Sequence, residues 1–344
     1  MSLLDVEDLE VHYDSDEGTV QAVDGVSFEV AEGENLGIVG ESGCGKSTLA
    51  KAILGILPKN GYVNGGDIRF RDENLVELSD RRRRGMRWEE ISMIPQSAMN
   101  GLDPVYTIRE QIVEAIETHR RQMSRTEANR IVDEMFDLVG LDTERADNYP
   151  HQFSGGMRQR AMIAMALALD PGLVLADEPT TALDVIMQDQ ILSRISRIQS
   201  EINSSMIVIT HDVAVVAETC DRVAVMYAGE IVEEGPVEDI FGRPYHPYTI
   251  GLRNSFPDIR KADQDLVSIA GHPPNLVDPP RGCRFADRCP MATDECRREE
   301  PPSKRIGSLR TKCHYAEEID EELRPIADEA STWQRAARTE RVHE

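Results

Sequence analysis

The sequence predicts an α/β protein built on a largely parallel sheet, followed by a small cysteine-rich module. Three observations carry this expectation. Short continuous apolar runs, ENLGIVG (34–40), GLVLAD (172–177) and SMIVIT (205–210), have the length and composition of strands buried on both faces. Helix-like stretches separate them up to about Gly251, and this alternation is what a parallel sheet requires. From residue 256 the texture changes. Prolines recur in FPDI, GHPPNL and DPPRG, periodicity fades, and four of the six cysteines fall between 283 and 313.

The elements follow in order. LLDVEDLEVHY and TVQAVDGVSFEV alternate apolar and polar residues, which predicts strands with turns at Asp14–Gly18 and Asp24–Gly25. STLAKAILGIL reads as a helix, Thr107 to Val139 as mostly helical, and Met157 to Leu169 as a further helix. A strand pair is expected around RVAVMYAGEIVEEG, with Gly229 near its turn. These boundaries divide the chain into residues 1–255, a proline-rich linker with a cysteine module over 256–325, and a charged, helical or frayed tail over 326–344. The module has too little core to fold unaided. No internal repeat is present.

Composition narrows the function. A 40% apolar content supports a packed core. The longest uninterrupted apolar run, Ala161 to Leu169, falls far short of the roughly 20 residues that a spanning helix needs. The start, MSLLDVEDLEVHY, lacks the basic and apolar regions of a signal peptide, so a cytosolic chain is expected, reaching any membrane through partners. A formal charge of −24 argues against nucleic acid as a general partner. Only six of the 38 basic residues are lysine, and such an acid-rich, lysine-poor surface suits a salt-rich cytoplasm, so a halophilic source is expected. The run Arg81–Arg84 reads as a solvated helix face.

Gly40-Glu41-Ser42-Gly43-Cys44-Gly45-Lys46-Ser47 fits G-x-x-x-x-G-K-[ST] at every fixed position, after a buried strand and before a helix that begins with Ser47 and Thr48. Glycines at 40, 43 and 45 let backbone N–H groups, Ser42 among them, turn inward around phosphates, and the helix N-terminus adds positive potential. Lys46 is expected at the β- and γ-phosphates of ATP and the Ser47 hydroxyl on Mg²⁺. Cys44 occupies a variable position and reads as filler. Downstream, LVLADEP places Asp177 at the end of a buried strand, where open α/β sheets bind ligands. Asp177 is expected to hold the metal through its water shell, and Glu178 to polarise the attacking water as general base. FSGGMRQR (153–160) supplies a second anion-binding helix end, with Ser154 as N-cap and Gly155 and Gly156 permitting close backbone approach. One nucleotide does not need two such ends. Two subunits pairing head to tail do.

With these motifs in place, residues 1–255 resemble the ATP-binding subunits of ABC transporters, whose signature LSGGQ reads FSGGM here, Met157 standing for the glutamine. The resemblance implies a P-loop ATPase domain with an antiparallel β subdomain and a helical subdomain over about 97–170. It also implies roles for four further residues. Gln96 matches the glutamine that senses Mg²⁺ and water beside the membrane-subunit contact. Asp184, ending TTALD, matches the loop that crosses the dimer interface. His211 matches the switch histidine at the γ-phosphate, and Tyr13 the aromatic stacked on adenine. Taken singly, Gln96 reads as a loop polar residue, His211 as a strand-end histidine and Tyr13 as a core aromatic.

RPYHPYTIGLRNSFPDI (243–259) resembles the C-terminal extension of the dipeptide and oligopeptide branch of ABC importers. Cys283, Cys289, Cys296 and Cys313 follow at C-x5-C-x6-C-x16-C. Structural disulfides are rare in a reducing cytosol, and zinc sites of four cysteines carry closer pairs than these. The resemblance implies a [4Fe–4S] cluster; zinc and unligated or disulfide-bonded thiols remain alternatives. Cys220 stands apart and reads as a buried helix residue. The function implied is an ATPase subunit at the cytoplasmic face of the membrane that energises import of di- or oligopeptides. Its implied partners are a second ATPase subunit of a different chain, two transmembrane permease subunits and an extracellular solute-binding protein. The alternatives are a soluble ABC ATPase without a transport role, or an importer of oligosaccharides or nickel complexes.

Overall fold

The structure is a computed structural model that describes residues 2–96, 101–179, 188, 204–255, 269–329 and 331–334. Two sheets organise it. Strands β1 (Ser2–Ser15), β2 (Gly18–Ala31), β4 (Gly61–Phe70) and β5 (Glu73–Asn74) form an antiparallel sheet in the order β2-β1-β4-β5. An eight-stranded sheet also takes in β3 (Asn35–Val39), β6 (Ile91–Ile94), β7 (Leu173–Asp177), β8 (Ser205–Thr210), β9 (Arg222–Tyr227), β10 (Glu230–Pro236), β11 (Ser303–Ile306) and β12 (Leu309–Lys312). Its order is β11-β12-β10-β9-β3-β8-β7-β6. Strands β6, β7, β8, β3 and β9 run parallel, and β10, β12 and β11 continue the sheet antiparallel. The carboxyl ends of β3, β6, β7 and β8 therefore open on one edge.

The two sheets face each other through alternating side chains such as Leu4, Val6, Leu9 and Phe28 on one, and Leu36, Ile38, Leu175 and Ile207 on the other. Helix α1 (Lys46–Leu54) runs from the glycine-rich loop into this layer and stops at Gly55, whose left-handed conformation returns its N–H to the Ala52 and Lys51 carbonyls. One expected turn is absent. Asp24 and Gly25 lie inside β2, where pairing steps from Val11–Val23 to Leu9–Val26, so β2 carries an extra residue. Gly25 bends at φ 60°, and the Asp24 N–H donates to the Gly229 carbonyl at 2.9 Å. A bulge, not a reversal, uses the turn-like dipeptide.

Beyond β6, α3 (Ile108–His119), α4 (Arg125–Leu138) and α5 (Gly155–Leu167) pack as a helical layer. Thr107 and Glu110 form a reciprocal cap on α3, and Ser124 caps α4. Their apolar positions, Ile108, Ile112 and Ile116 on α3 and Ala128, Val132 and Phe136 on α4, fall at helical spacing and meet a nearly all-apolar α5. A seven-residue helix α2 (Asp80–Met86) holds the arginine run. Its side chains are not simply solvated: Arg82 bridges Glu73 and Glu90, and Arg83 donates to the carbonyls of Leu75, Val76 and Leu78.

The C-terminal residues differ most from expectation. The β11–β12 hairpin extends the main sheet through Glu233–Thr311 and Glu234–Arg310 pairing. Phe285, Leu309, Ile319, Leu323 and Trp333 share one core with Val39, Tyr227 and Tyr248. The cysteine segment thus borrows the core of the nucleotide-binding fold. Where a charged tail was expected from residue 326, Ala327 and Trp333 are buried, the indole donating to the Ala327 carbonyl at 2.9 Å. One tryptophan among charges outweighs its neighbours, because its apolar surface is large and the surrounding carboxylates reach water around it. Residues 335–344, and 256–268 of the expected linker, lie outside the described residues.

Candidate active site

The phosphate loop connects β3 to α1, and its glycines are dictated by space. A Cβ on Gly40 would lie 2.0 Å from the Met226 carbonyl oxygen, and one on Gly45, at φ 107°, would lie 2.2 Å from that of Ala22. Lys46 is buried and folds back across the loop, donating to the Gly40 carbonyl at 2.7 Å and the Glu41 carbonyl at 2.9 Å. Its third N–H faces the Cys44 sulfur at 3.7 Å, a weak acceptor that a phosphate oxygen would outcompete. Cys44 is buried beneath the loop, and burial raises its thiol pKa, so it stays a neutral packing group. Tyr13, on β1, donates to the Thr48 hydroxyl at 3.2 Å, which places its ring beside the first turn of α1.

Asp177 ends β7 almost fully buried, and the Ser47 hydroxyl donates to its carboxylate at 3.0 Å. Burial pushes the Asp177 pKa up, opposed by the Ser47 hydrogen bond and aided by the charge of Glu178. A hydroxyl and a carboxylate side by side are hard oxygen donors, and a divalent cation would relieve the cost of burying that charge. The pair therefore fits Mg²⁺.

Glu178 follows in a strained left-handed conformation, φ 48°, fixed by its N–H donating to the Ile209 carbonyl at 2.7 Å. That turn aims the carboxylate at two side chains from neighbouring strand ends. Gln96 Nε2 donates to Oε2 at 2.7 Å, and His211 Nδ1 lies 3.1 Å from Oε1. Three motifs far apart in sequence thus meet at one carboxylate. Such an arrangement can hold a base in one orientation and deliver or accept a proton at its edge.

Ser154 caps α5 at its exposed end, accepting from the Met157 N–H at 3.3 Å, with Gly155 exposed beside it. It does not join the cluster around Glu178 within this chain. Asp184 lies outside the described residues. Cys220 caps the helix Val213–Thr219 at its C-terminus, half-buried, instead of lying inside a helix.

Cys283, Cys289, Cys296 and Cys313 line one small cavity of about 20 Å³ walled by Pro247, Phe285, Ala286 and Met291. Burial raises the thiol pKa at Cys283 to about 12, at Cys313 to about 11, and well above the ordinary thiol value at Cys289. Among the described residues no group of three or more His, Cys, Asp or Glu side chains is placed to hold a metal ion.

Sequence reasoning missed the partners of the loop. Tyr248 accepts from the Glu41 N–H at 2.9 Å, and Arg288 grips the Glu41 carboxylate through both terminal nitrogens, at 2.8 and 2.9 Å. No spacing signal could have found a contact between residues so far apart.

A parallel sheet with a phosphate loop, an acidic strand end and a capped glycine pair on a neighbouring helix defines a P-loop ATPase of the ABC class. Comparison agrees. The profile of the ABC transporter family matches residues 23–181, and that of the oligopeptide/dipeptide transporter C-terminal region matches 232–296. The dipeptide transport ATP-binding protein DppD of Haemophilus influenzae is 45% identical over 328 residues, covering 95% of this chain and 98% of its own. The oligopeptide transport ATP-binding protein OppD of Salmonella typhimurium is 45% identical over 301 residues, with 87% and 89% covered. Among solved structures, the dimeric ATP-binding cassette MJ0796 bound to ADP and phosphate superposes with a TM-score of 0.63 at 28% identity, covering 68% of this chain and 98% of that one. The chain belongs to the ATP-binding subunits of dipeptide and oligopeptide ABC transporters, and it is an ATPase.

Proposed function

We propose that this subunit hydrolyses ATP between itself and a second ATPase subunit, and that the closure so driven powers import of di- or oligopeptides. The observation that carries the reading is the convergence of Gln96 and His211 on Glu178, beside Ser47 and Asp177 and facing the lysine of the phosphate loop. Lys46, held by two loop carbonyls, keeps one N–H for a phosphate oxygen. Ser47 and Asp177 would hold Mg²⁺, which neutralises phosphate charge when bound. Glu178 takes a proton from the attacking water, Gln96 fixes its orientation, and His211 faces the γ-phosphate. Tyr13 stacks on the adenine. The α5 end at Ser154, Gly155 and Gly156 closes over the nucleotide of the opposing subunit, which explains why it stands exposed and apart from Glu178. Asp184 is assigned to the same interface.

The chain carries one set of these motifs, and the opposing subunit is a different chain. Two transmembrane permease subunits would receive the motion at the cytoplasmic face of the membrane, and an extracellular solute-binding protein would deliver the peptide. Among the described residues no helix is long and apolar enough to cross a membrane.

The reading includes a [4Fe–4S] cluster, which takes four cysteine ligands; four thiols lining one cavity support it, although they are not gathered into a metal-holding group. Thiols whose pKa burial raises would be held as thiolates by a metal centre. The surface charge further supports a halophilic source.

Co-expression with candidate transmembrane permease subunits tests the whole. The membrane complex should hydrolyse ATP faster when the solute-binding protein is loaded with peptide, and anaerobic preparations should contain about four irons per subunit. A subunit that never co-purifies with permeases would remove the transport reading. A colourless, iron-free preparation containing zinc would remove the cluster.

A further inference from the structure

We propose that Arg288, in the cysteine segment, is a positioning residue for the phosphate loop, and that it acts by neutralising and fixing Glu41. This rests on the reading of that loop as the ATP site. Three contacts hold Glu41. Its carboxylate takes the Arg288 guanidinium end-on, Nη1 to Oε2 at 2.8 Å and Nη2 to Oε1 at 2.9 Å. Its N–H donates to the Tyr248 hydroxyl at 2.9 Å. Its carbonyl accepts from Lys46 Nζ at 2.9 Å. The chain of contacts runs from Arg288, through one residue, to the lysine that meets phosphate.

Arg288 is itself immobilised. Its side chain is 5% exposed. Besides Glu41, Nε donates to the Ala270 carbonyl at 3.0 Å, Nη1 to the Tyr227 hydroxyl at 3.2 Å and Nη2 to the Ile269 carbonyl at 3.4 Å. All five guanidinium donors are used, a set that lysine cannot reproduce. Its cation also lies over the Tyr227 and Phe285 rings.

The electrostatics give the contact a purpose. A carboxylate inside a phosphate loop repels the triphosphate, and in a half-buried site that repulsion is poorly screened. Arg288 cancels it by pairing with the carboxylate. Arg288 directly precedes Cys289, so the thiol cavity and the ATP site are joined by one peptide bond and one ion pair. The C-terminal segment is thereby part of the nucleotide site.

Removing the two charges singly and together tests this on the full chain, by calorimetric binding of Mg-ADP. Arg288→Gln leaves Glu41 unpaired and should weaken affinity roughly tenfold. Adding Glu41→Gln removes the stranded charge and should return affinity to within about threefold of the parent. A merely structural role of Arg288 predicts no such rescue. Unchanged affinity in the single variant, or a double variant as weak as the single, would overturn the proposal. Should Arg288→Gln not fold, Glu41→Asp decides. Its shortened carboxylate cannot reach the fork, the C-terminal segment is untouched, and affinity should fall severalfold; parental affinity would overturn the proposal. A parent chain that binds no Mg-ADP would overturn the ATP-site reading and this inference together, whereas a binding parent with indifferent variants would overturn this inference alone.

Discussion

In the proposed site Lys46 and Glu178 would act on the same phosphates in different ways, and their substitutions should fail differently. Lys46→Ala removes the one side chain that spans the loop from Gly40 to Glu41, so nucleotide affinity should drop at least tenfold, read by Mg-ADP titration. Glu178→Gln keeps a side chain of the same shape between Gln96 and His211 but cannot take a proton. ATP binding should persist while turnover falls by roughly 10²–10⁴, the range of a lost general base. Normal turnover would remove Glu178 from that role. At this scale the site was legible where its residues are contiguous. The phosphate loop, the acidic strand end and the α5 cap each announce themselves in a few residues with fixed physical demands. Gln96 and His211 gained meaning only from their order beside those motifs. Glu41, Tyr248 and Arg288 had no local pattern at all, because their geometry is made by packing.

Elements show where local chemistry was outvoted. Asp24–Gly25 is a good turn dipeptide, yet antiparallel pairing on both sides of it absorbed the extra residue as a bulge. The tail beyond residue 326 reads as solvated because charges dominate its composition, but one tryptophan suffices to dock it. A third case is testable. Glu233, on β10, is fully buried and accepts the N–H groups of Tyr245 at 2.6 Å and His246 at 3.2 Å, tying the strand to the start of the helix Pro247–Asn254. Burial pushes its pKa up to about 7, against those hydrogen bonds. An acid with a raised folded-state pKa stabilises the fold below its unfolded value, near 4.5, and loses that contribution as pH rises toward 7. Stability should therefore fall by up to about 1.4 kcal/mol per pH unit across this window from Glu233 alone. Glu233→Gln retains an acceptor oxygen and should flatten the slope. Urea unfolding of both proteins at pH 5 and pH 7.5 measures it, and parallel pH dependences would refute the assignment.

The whole molecule carries a formal charge of −24, and the distribution of its ion pairs decides what salt does to it. Some pairs have at least one buried partner and connect distant parts of the chain. Glu234 joins Arg222 to Arg310, Glu230 joins Arg284 to Lys312, and Arg284, in the cysteine segment, also grips Asp24 of β2. Salt reaches such pairs poorly. The surplus carboxylates are different: they stand on the surface and repel one another over distances comparable to the Debye length, about 10 Å at 0.1 M salt and about 3 Å at 1 M. Raising the salt thus removes repulsion while sparing the internal pairs that hold the C-terminal segment to the sheet. The unfolded chain spreads the same charges farther apart and gains less. Thermal unfolding should accordingly shift upward between dilute buffer and molar KCl, on the order of 5 °C, with most of the rise below 1 M. Sodium and potassium chloride should act alike, since screening depends on ionic strength and not on ion identity. A midpoint indifferent to KCl would mean that the surplus charge is already compensated locally, and would count against the proposal of a salt-rich interior.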